Sequence, residues 1–146
     1  MHGTNPSVLE EILTNGLNPR LSGSNAGTAF GEGIYLAEDV GKTDQYVTAD
    51  SKYGDHIAHE RLYGSRDSTG PETHPGDVFY VLAVRVVLGY PVRTQEAGPK
   101  ACEMKGLGVS SQRERVFPTT FKELNYIPDV RPKMHYHSLI AETGRC

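Results

Sequence analysis

Tryptophan is absent from this chain, cysteine occurs only twice, and there is no long apolar run. Cys102 and Cys146 are too few and too far apart for a disulfide framework, which is typical of a reducing compartment. No apolar run approaches the roughly 20 residues that a membrane span requires. The N-terminus lacks the basic and then apolar pattern of a signal peptide. We therefore expect a cytoplasmic or nuclear protein with no membrane partner.

An excess of basic charge is also absent, because the formal net charge is -3 and the sequence has no basic stripe. Nucleic acid is therefore not indicated as a partner. The length of 146 residues suits one hydrophobic core, so we expect a single domain over residues 1–146. A hydrophobic fraction of 37%, with 16 Gly and 9 Pro, favours a loop-rich α+β or all-β domain over a helical bundle.

A helix is predicted near the N-terminus, and it can begin in two ways. Either Asn5 is the N-cap and Pro6 the first helical residue, or Ser7 is the N-cap and Glu10 completes a capping box. Gly16 is placed to end the helix. Apolar residues recur at helical spacing: Val8, Leu9, Ile12 and Leu13.

A strand is predicted over residues 78–88, where an almost continuous apolar run indicates burial on both faces. Residues 134–141 predict a last short strand or strand-turn, and residues 43–60 are expected to be helical in part. Low apolar content predicts loops at residues 17–33, 64–77 and 94–118.

The most informative pattern lies at residues 29–46, where a glycine-punctuated loop leads into a predicted strand at 34–37. Glycine lets the backbone approach a ligand closely. Tyr35 and Tyr46 are eleven residues apart, which suits two elements that face each other and hold a flat heteroaromatic ring by stacking. Thr43 offers a hydroxyl for an amide on such a ring. The competing interpretation is a structural interaction domain in which both tyrosines are core residues.

Three motifs in order resemble the catalytic domain of the poly(ADP-ribose) polymerase family, whose members are diphtheria-toxin-like ADP-ribosyltransferases. They are His-Gly-Thr at 2–4, Gly-Glu-Gly-Ile-Tyr-Leu-Ala-Glu at 31–38 and Lys-Thr-Asp-Gln-Tyr at 42–46. The resemblance covers most of the chain, through Leu-Gly at 88–89 and Tyr-His-Ser-Leu at 136–139. It implies an α+β fold with split, mainly antiparallel sheets around an NAD-binding slot.

The resemblance also implies the reaction, which is transfer of ADP-ribose from NAD+ to an acceptor with release of nicotinamide. The acceptor would be a protein side chain or a growing ADP-ribose chain, and its identity is unknown. NAD+ is then a substrate, and no metal is needed.

Catalytic roles are implied for His2 and Tyr35, which match the family's triad histidine and tyrosine. His2 would bond to the ribose hydroxyl on the adenosine side, and Tyr35 would pack beside the nicotinamide ribose. Gly3 matches the glycine whose backbone N–H and C=O bind the nicotinamide amide, where a side chain would crowd the ring.

Further NAD-binding roles are implied for Thr43, Tyr46 and Arg20. Thr43 stands where the family usually has serine; it keeps the hydroxyl for the carboxamide but has a stiffer side chain. Tyr46 would stack on the nicotinamide ring. Arg20 lies in the loop over the dinucleotide and would meet the pyrophosphate or the adenine; a surface role fits it equally well.

The third triad residue of polymerising relatives is a glutamate on a later strand, and neither Glu123 nor Glu142 fits its pattern. We therefore expect an incomplete domain, which lacks the strand before His-Gly-Thr and the strand that carries this glutamate. An alternative is an inactive NAD- or ADP-ribose-binding module that keeps the slot without the acid.

Other kinds of site have little support in the sequence. His56 and His59, beside Glu60, imitate a metal pair but lack a third ligand at a recognised spacing, and His135 and His137 do no better. No Gly-x-Gly-x-x-Gly follows a strand, so a Rossmann oxidoreductase is not indicated.

Overall fold

The computed structural model describes residues 1–21, 28–50, 77–104 and 114–142. The chain divides into two compact units. The N-terminal unit comprises Met1–Asn18 and Ile34–Arg85, and the C-terminal unit comprises Pro19–Gly33 and Val86–Cys146. The single domain expected over residues 1–146 stays a prediction.

The N-terminal unit contains a two-stranded antiparallel sheet, in which Gly3 lies opposite Val81. A 3-10 turn, Asp44–Tyr46, directly follows the helix Val40–Thr43 of this unit. In chain order the regular elements are β1 (His2–Thr4), α1 (Pro6–Asn15), α2 (Val40–Thr43) and β2 (Tyr80–Leu82).

Helix α1 begins in the first of the two predicted ways. Asn5 is the N-cap, its side chain accepts a bond from the Ser7 N–H at 2.9 Å, and Pro6 is the first helical residue. Pro has no N–H, and the first helical residue needs none for the helix. The helix ends at Gly16, where φ is +80° and the N–H donates to the Ile12 carbonyl at 2.8 Å. The predicted helix and its glycine end are confirmed.

Helix α2 and its 3-10 turn account for the helical structure predicted within residues 43–60, although α2 begins earlier. Asp39 caps α2, because its Oδ1 accepts a bond from the Gly41 N–H at 2.8 Å. Residues 51–60 lie outside the described residues.

The strand predicted at residues 34–37 is wrong, since this segment has no regular strand structure. The Ala37 N–H donates to the Met1 carbonyl at 2.9 Å, and the Met1 amino group donates to the Ala37 carbonyl. The carbonyl of Tyr35 bonds to the His2 side chain. The segment is therefore anchored beside β1 by one backbone pair and one side chain, and a ladder of strand pairs does not form.

The prediction of a long, doubly buried strand over residues 78–88 is also wrong. Only Tyr80–Leu82 forms a strand, and Val87 is 94% exposed. β1 is three residues long and pairs with only this part of the run. The boundary between the units falls directly after Arg85, the one charge in the apolar run.

The C-terminal unit contains β3 (Pro91–Thr94) and β4 (Ser138–Ala141), which pair in parallel with Val92 opposite Leu139. A final strand within residues 134–141 is confirmed. The expectation of mainly antiparallel sheets holds for β1 and β2 but not for this pair. A parallel pair needs a long crossover connection, and the long chain between β3 and β4 provides it.

The core of the C-terminal unit is formed by Val92, Val116 and Phe117. The Phe117 and Phe121 rings meet edge to face, with centroids 4.8 Å apart. Leu124, Tyr136 and Leu139 pack against the same cluster. The loop predicted over residues 94–118 therefore supplies two of the three central core residues, because a few apolar side chains suffice when tertiary partners bury them.

Several sequence-based predictions lie outside the described residues. They concern the loop at 64–76, the His56, His59 and Glu60 group, and Cys146. No helix in the described ranges has the length and apolar character needed to cross a membrane.

Candidate functional site

Strand β1 presents its backbone groups to two different edges. In an extended strand, the N–H and C=O of one residue point to the same edge, and those of the next residue point to the opposite edge. Both backbone groups of Met1 bond to Ala37, so they mark the edge away from β2. The N–H and C=O of Gly3, two residues on, belong to the same edge. This is the arrangement that a backbone cradle for an amide requires.

Gly3 is required by packing as well as by the predicted ligand contact. A Cβ atom at this position would lie 2.4 Å from the Thr43 carbonyl oxygen and 2.9 Å from Val47 Cγ1. The first of these atoms is backbone and cannot rotate away. The glycine therefore lets the end of α2 approach β1, and this approach brings Thr43 close to the predicted cradle.

His2 is joined to the segment that carries Tyr35. Its Nδ1 lies 3.0 Å from the Tyr35 carbonyl oxygen. A carbonyl can only accept, so Nδ1 carries the proton and donates it. In the neutral ring, Nε2 is then an acceptor, as a ribose hydroxyl requires. The structure thus links His2 to the backbone of Tyr35, and in the neutral ring this bond leaves Nε2 as the acceptor.

Tyr35 and Tyr46 are both accessible residues, at 36% and 47% exposure. Such exposure disfavours the interpretation that these tyrosines are core residues. Tyr46 ends the 3-10 turn after α2, whereas Tyr35 lies in the segment anchored by Ala37. The stacking of both rings on one ligand stays a prediction.

Thr43 is the most buried of the predicted ligand-binding side chains, at 3% exposure. Its hydroxyl donates to the Val40 carbonyl at 2.7 Å. Because the single hydroxyl proton is used in this bond, the oxygen has only acceptor capacity left. An acceptor is what the NH2 group of a carboxamide needs.

Arg20 lies in the 3-10 turn Pro19–Leu21 of the C-terminal unit and is exposed. Its predicted contact with a pyrophosphate or an adenine stays a prediction.

Sequence reasoning missed a buried polar pair in the N-terminal unit. Asp50 is 1% exposed, and its Oδ2 accepts a bond from the Tyr80 hydroxyl at 2.6 Å. Asp50 also forms an antiparallel bridge with Val78. The only signal in the sequence is an aspartate four residues after Tyr46. Tyr80 lies within the apolar run that predicted a strand, so nothing marked it as a polar partner.

Glu142 lies directly after β4 and bonds to two residues of β3. Its carboxylate pairs with Arg93, and its N–H donates to the Thr94 carbonyl at 2.8 Å. The sequence interpretation that Glu142 is not the triad glutamate stays a prediction. Within the described ranges, no group of three or more His, Cys, Asp or Glu residues is placed to hold a metal ion.

Comparison with known proteins gives one informative match. The sequence-family model of the poly(ADP-ribose) polymerase catalytic domain matches residues 1–132. No curated protein and no solved structure matches the chain significantly. The family match covers most of the chain and includes all the predicted site residues. This chain therefore belongs to the poly(ADP-ribose) polymerase catalytic-domain family.

Proposed function

We propose that this chain binds NAD+ with its nicotinamide between Tyr35 and Tyr46, and transfers ADP-ribose to an acceptor with release of nicotinamide. Family membership supports ADP-ribosyl transfer as the activity and NAD+ as the substrate. The observation that carries the proposal is the close approach of α2 to β1 at Gly3, which brings the Thr43 hydroxyl, with its remaining capacity to accept a hydrogen bond, near the strand edge to which the Gly3 backbone groups belong.

The reaction breaks the bond between the nicotinamide nitrogen and C1′ of the ribose. The ribose then carries oxocarbenium character, nicotinamide leaves, and the acceptor attacks C1′ and loses a proton. Holding the reactants in position and stabilising the developing charge account for most of such catalysis.

Each predicted residue has one task in this scheme. Gly3 and Thr43 hold the carboxamide, Gly3 through its backbone and Thr43 through its acceptor oxygen. Tyr46 stacks on the nicotinamide ring and Tyr35 packs beside its ribose. Nε2 of His2 accepts a bond from the ribose on the adenosine side. Arg20 belongs to the other unit, and its contact with the pyrophosphate or the adenine stays a prediction.

A second candidate function is a module that binds NAD+ or ADP-ribose without turnover. The contacts of Glu142 favour this alternative, because Arg93 already pairs with the carboxylate. Glu123 is exposed and its sequence context does not match the triad strand. Without an acid beside the ribose, binding would persist while the bond to nicotinamide stayed intact.

Calorimetric titration with benzamide, a nicotinamide mimic, combined with an assay of nicotinamide release from NAD+ tests both candidates. Aromatic stacking is worth about 0.5–1.5 kcal/mol, so Tyr46→Ala is expected to weaken benzamide binding by about two- to thirteenfold. Tyr126→Ala is the matched control, since Tyr126 is similarly exposed at 43% and belongs to the C-terminal unit.

The outcomes separate the candidates. Nicotinamide release by the wild-type chain supports the transferase. Benzamide binding without release supports the binding module. A wild-type chain that does not bind benzamide, or an equal loss with Tyr126→Ala, contradicts the proposed site.

A further inference from the structure

The buried Asp50–Tyr80 pair ties the chain after Tyr46 to the beginning of β2. Among the described residues, three hydrogen bonds contribute to this connection. The Asp50 N–H donates to the Val78 carbonyl at 2.7 Å, and the Val78 N–H donates to the Asp50 carbonyl at 3.0 Å. The third bond is the one at 2.6 Å from the Tyr80 hydroxyl to the Asp50 carboxylate.

Tyr46 lies between this connection and a second one. On its N-terminal side, the Thr43 carbonyl closely approaches Gly3 of β1. On its C-terminal side, Asp50 is held by Tyr80. Both ends lead to the same sheet, because Tyr80 lies opposite Thr4 in the register of β1 and β2.

The backbone that carries Tyr46 is therefore connected to the sheet on both sides, while the residue itself is 47% exposed. Packing restrains a side chain of a half-exposed residue less than it restrains one in a core. Its position relative to Gly3 must then depend on the two connections. Between the described residues 43–50 and β2, the bond from Tyr80 to Asp50 is the side-chain hydrogen bond. It is directional, so it can fix the position of the backbone after Tyr46.

We propose that the hydrogen bond from Tyr80 to Asp50 positions the Tyr46 ring for the nicotinamide, so that its loss weakens binding of the nicotinamide ring. The inference rests on the proposed function. Asp50 and Tyr80 are positioning residues, because they act through Tyr46 and the backbone that carries it.

The decisive variant is Tyr80→Phe, which removes one hydroxyl and keeps the ring. The loss of this buried hydrogen bond destabilises the connection, and only part of that effect reaches the ligand site. We expect benzamide affinity to fall about three- to tenfold, which corresponds to about 0.7–1.4 kcal/mol. Tyr90→Phe is the matched control, since it removes a hydroxyl from an exposed tyrosine of the C-terminal unit.

Substitutions at Asp50 give a second, independent measurement. Asp50→Asn keeps an oxygen that can accept from Tyr80 and is expected to retain most of the benzamide affinity. Asp50→Leu removes the acceptor and is expected to reproduce or exceed the loss in Tyr80→Phe.

A double-mutant cycle distinguishes positioning from general stability. If Tyr80 acts through Tyr46, Tyr80→Phe has no further effect on benzamide affinity in the Tyr46→Ala background. An effect of the same size in both backgrounds overturns the inference. So does a Tyr80→Phe variant that melts at a lower temperature but binds benzamide as well as the wild type does.

The failure of this inference is distinguishable from that of the proposed function. A wild-type chain that binds no benzamide refutes the proposed function, and the inference falls with it. Binding by the wild type with unchanged affinity in both Tyr80→Phe and Asp50→Leu refutes the inference alone.

Discussion

The two units differ in what they bury. Among the described residues, the C-terminal unit buries mainly apolar side chains: Val92, Ala101, Val116, Phe117 and Ile127, with the polar Thr94. In the N-terminal unit the buried side chains are largely polar: Thr4, Thr43 and Asp50, beside Leu9 and Pro6.

This difference implies that buried side chains serve mainly stability in one unit and mainly the positioning of groups in the other. Apolar burial is non-directional and contributes about 25 cal/mol per Å² of buried surface. Hydrogen bonds contribute less in net terms, but they fix distances and angles. Among the described residues, the unit that contains His2, Gly3, Thr43 and both site tyrosines thus uses its buried positions largely to fix geometry, and the other unit uses them for packing.

The strongest test of this contrast is Phe117→Ala in the core of the C-terminal unit. Removing a buried phenylalanine side chain leaves a cavity, so we expect the free energy of unfolding to fall by about 3–5 kcal/mol. Urea denaturation measures it. Phe79→Ala in the N-terminal unit is the control, because Phe79 is exposed and should cost about 0.5 kcal/mol or less. Equal losses would remove the contrast between the units.

Gly3→Ala tests the close approach in the N-terminal unit. The new Cβ would lie 2.4 Å from the Thr43 carbonyl oxygen. We expect a loss of about 1–3 kcal/mol in unfolding free energy, and a loss of benzamide binding, because α2 must move away from β1. Gly41→Ala is the control, since its Cβ would approach Asp39 Oδ1 no closer than 3.4 Å. Unchanged benzamide affinity in Gly3→Ala would show that this approach does not form the site.

Asp39→Ala removes the cap of α2 and leaves the apolar core of the C-terminal unit unchanged. Loss of an N-cap typically costs about 1 kcal/mol, and we expect that reduction in the free energy of unfolding. Glu38→Ala removes the same charge one residue earlier and should have a smaller effect. If the two variants lose equal stability, the charge matters and the capping bond does not.

The smallest effect is expected at Tyr136, a polar group on the apolar cluster. Burial raises the pKa of its phenol, and the nearby Glu103, which accepts its hydrogen bond at 3.3 Å, raises it further. The unfolded chain releases this proton near pH 10, while the folded chain still holds it. The free energy of unfolding should therefore fall as the pH rises above about 10.

Tyr136→Phe should remove this part of the alkaline decline, and urea denaturation at several pH values from about 8 to 11 would detect it. Tyr126→Phe is the control, because Tyr126 is an exposed tyrosine of the same unit. An identical decline in wild type and Tyr136→Phe would contradict the prediction.

Local signals in the sequence predicted those features that depend on local chemistry. Asn5, Pro6 and Gly16 define the ends of α1 because capping requires only neighbouring residues. The motifs also indicated His2 and Gly3, whose bonds and packing in the structure suit the predicted roles.

The features that were missed depend on distant partners. Val116 and Phe117 lie in a segment of low apolar content, and contact with Val92 makes them core residues. The pairing of Asp50 with Tyr80 joins positions thirty residues apart and leaves no periodic pattern. Conversely, the apolar run at 78–88 predicted burial that the short β1 cannot provide.

The parallel pairing of β3 with β4 has a consequence for synthesis on the ribosome. Ser138–Ala141 must emerge from the exit tunnel before the pair can form, whereas β2 becomes available to β1 much earlier. Parallel pairing across a long connection is also slow. Pro19–Gly33 belongs to the C-terminal unit although it is translated early, so this stretch of nascent chain has to wait for more than a hundred later residues before its unit is complete.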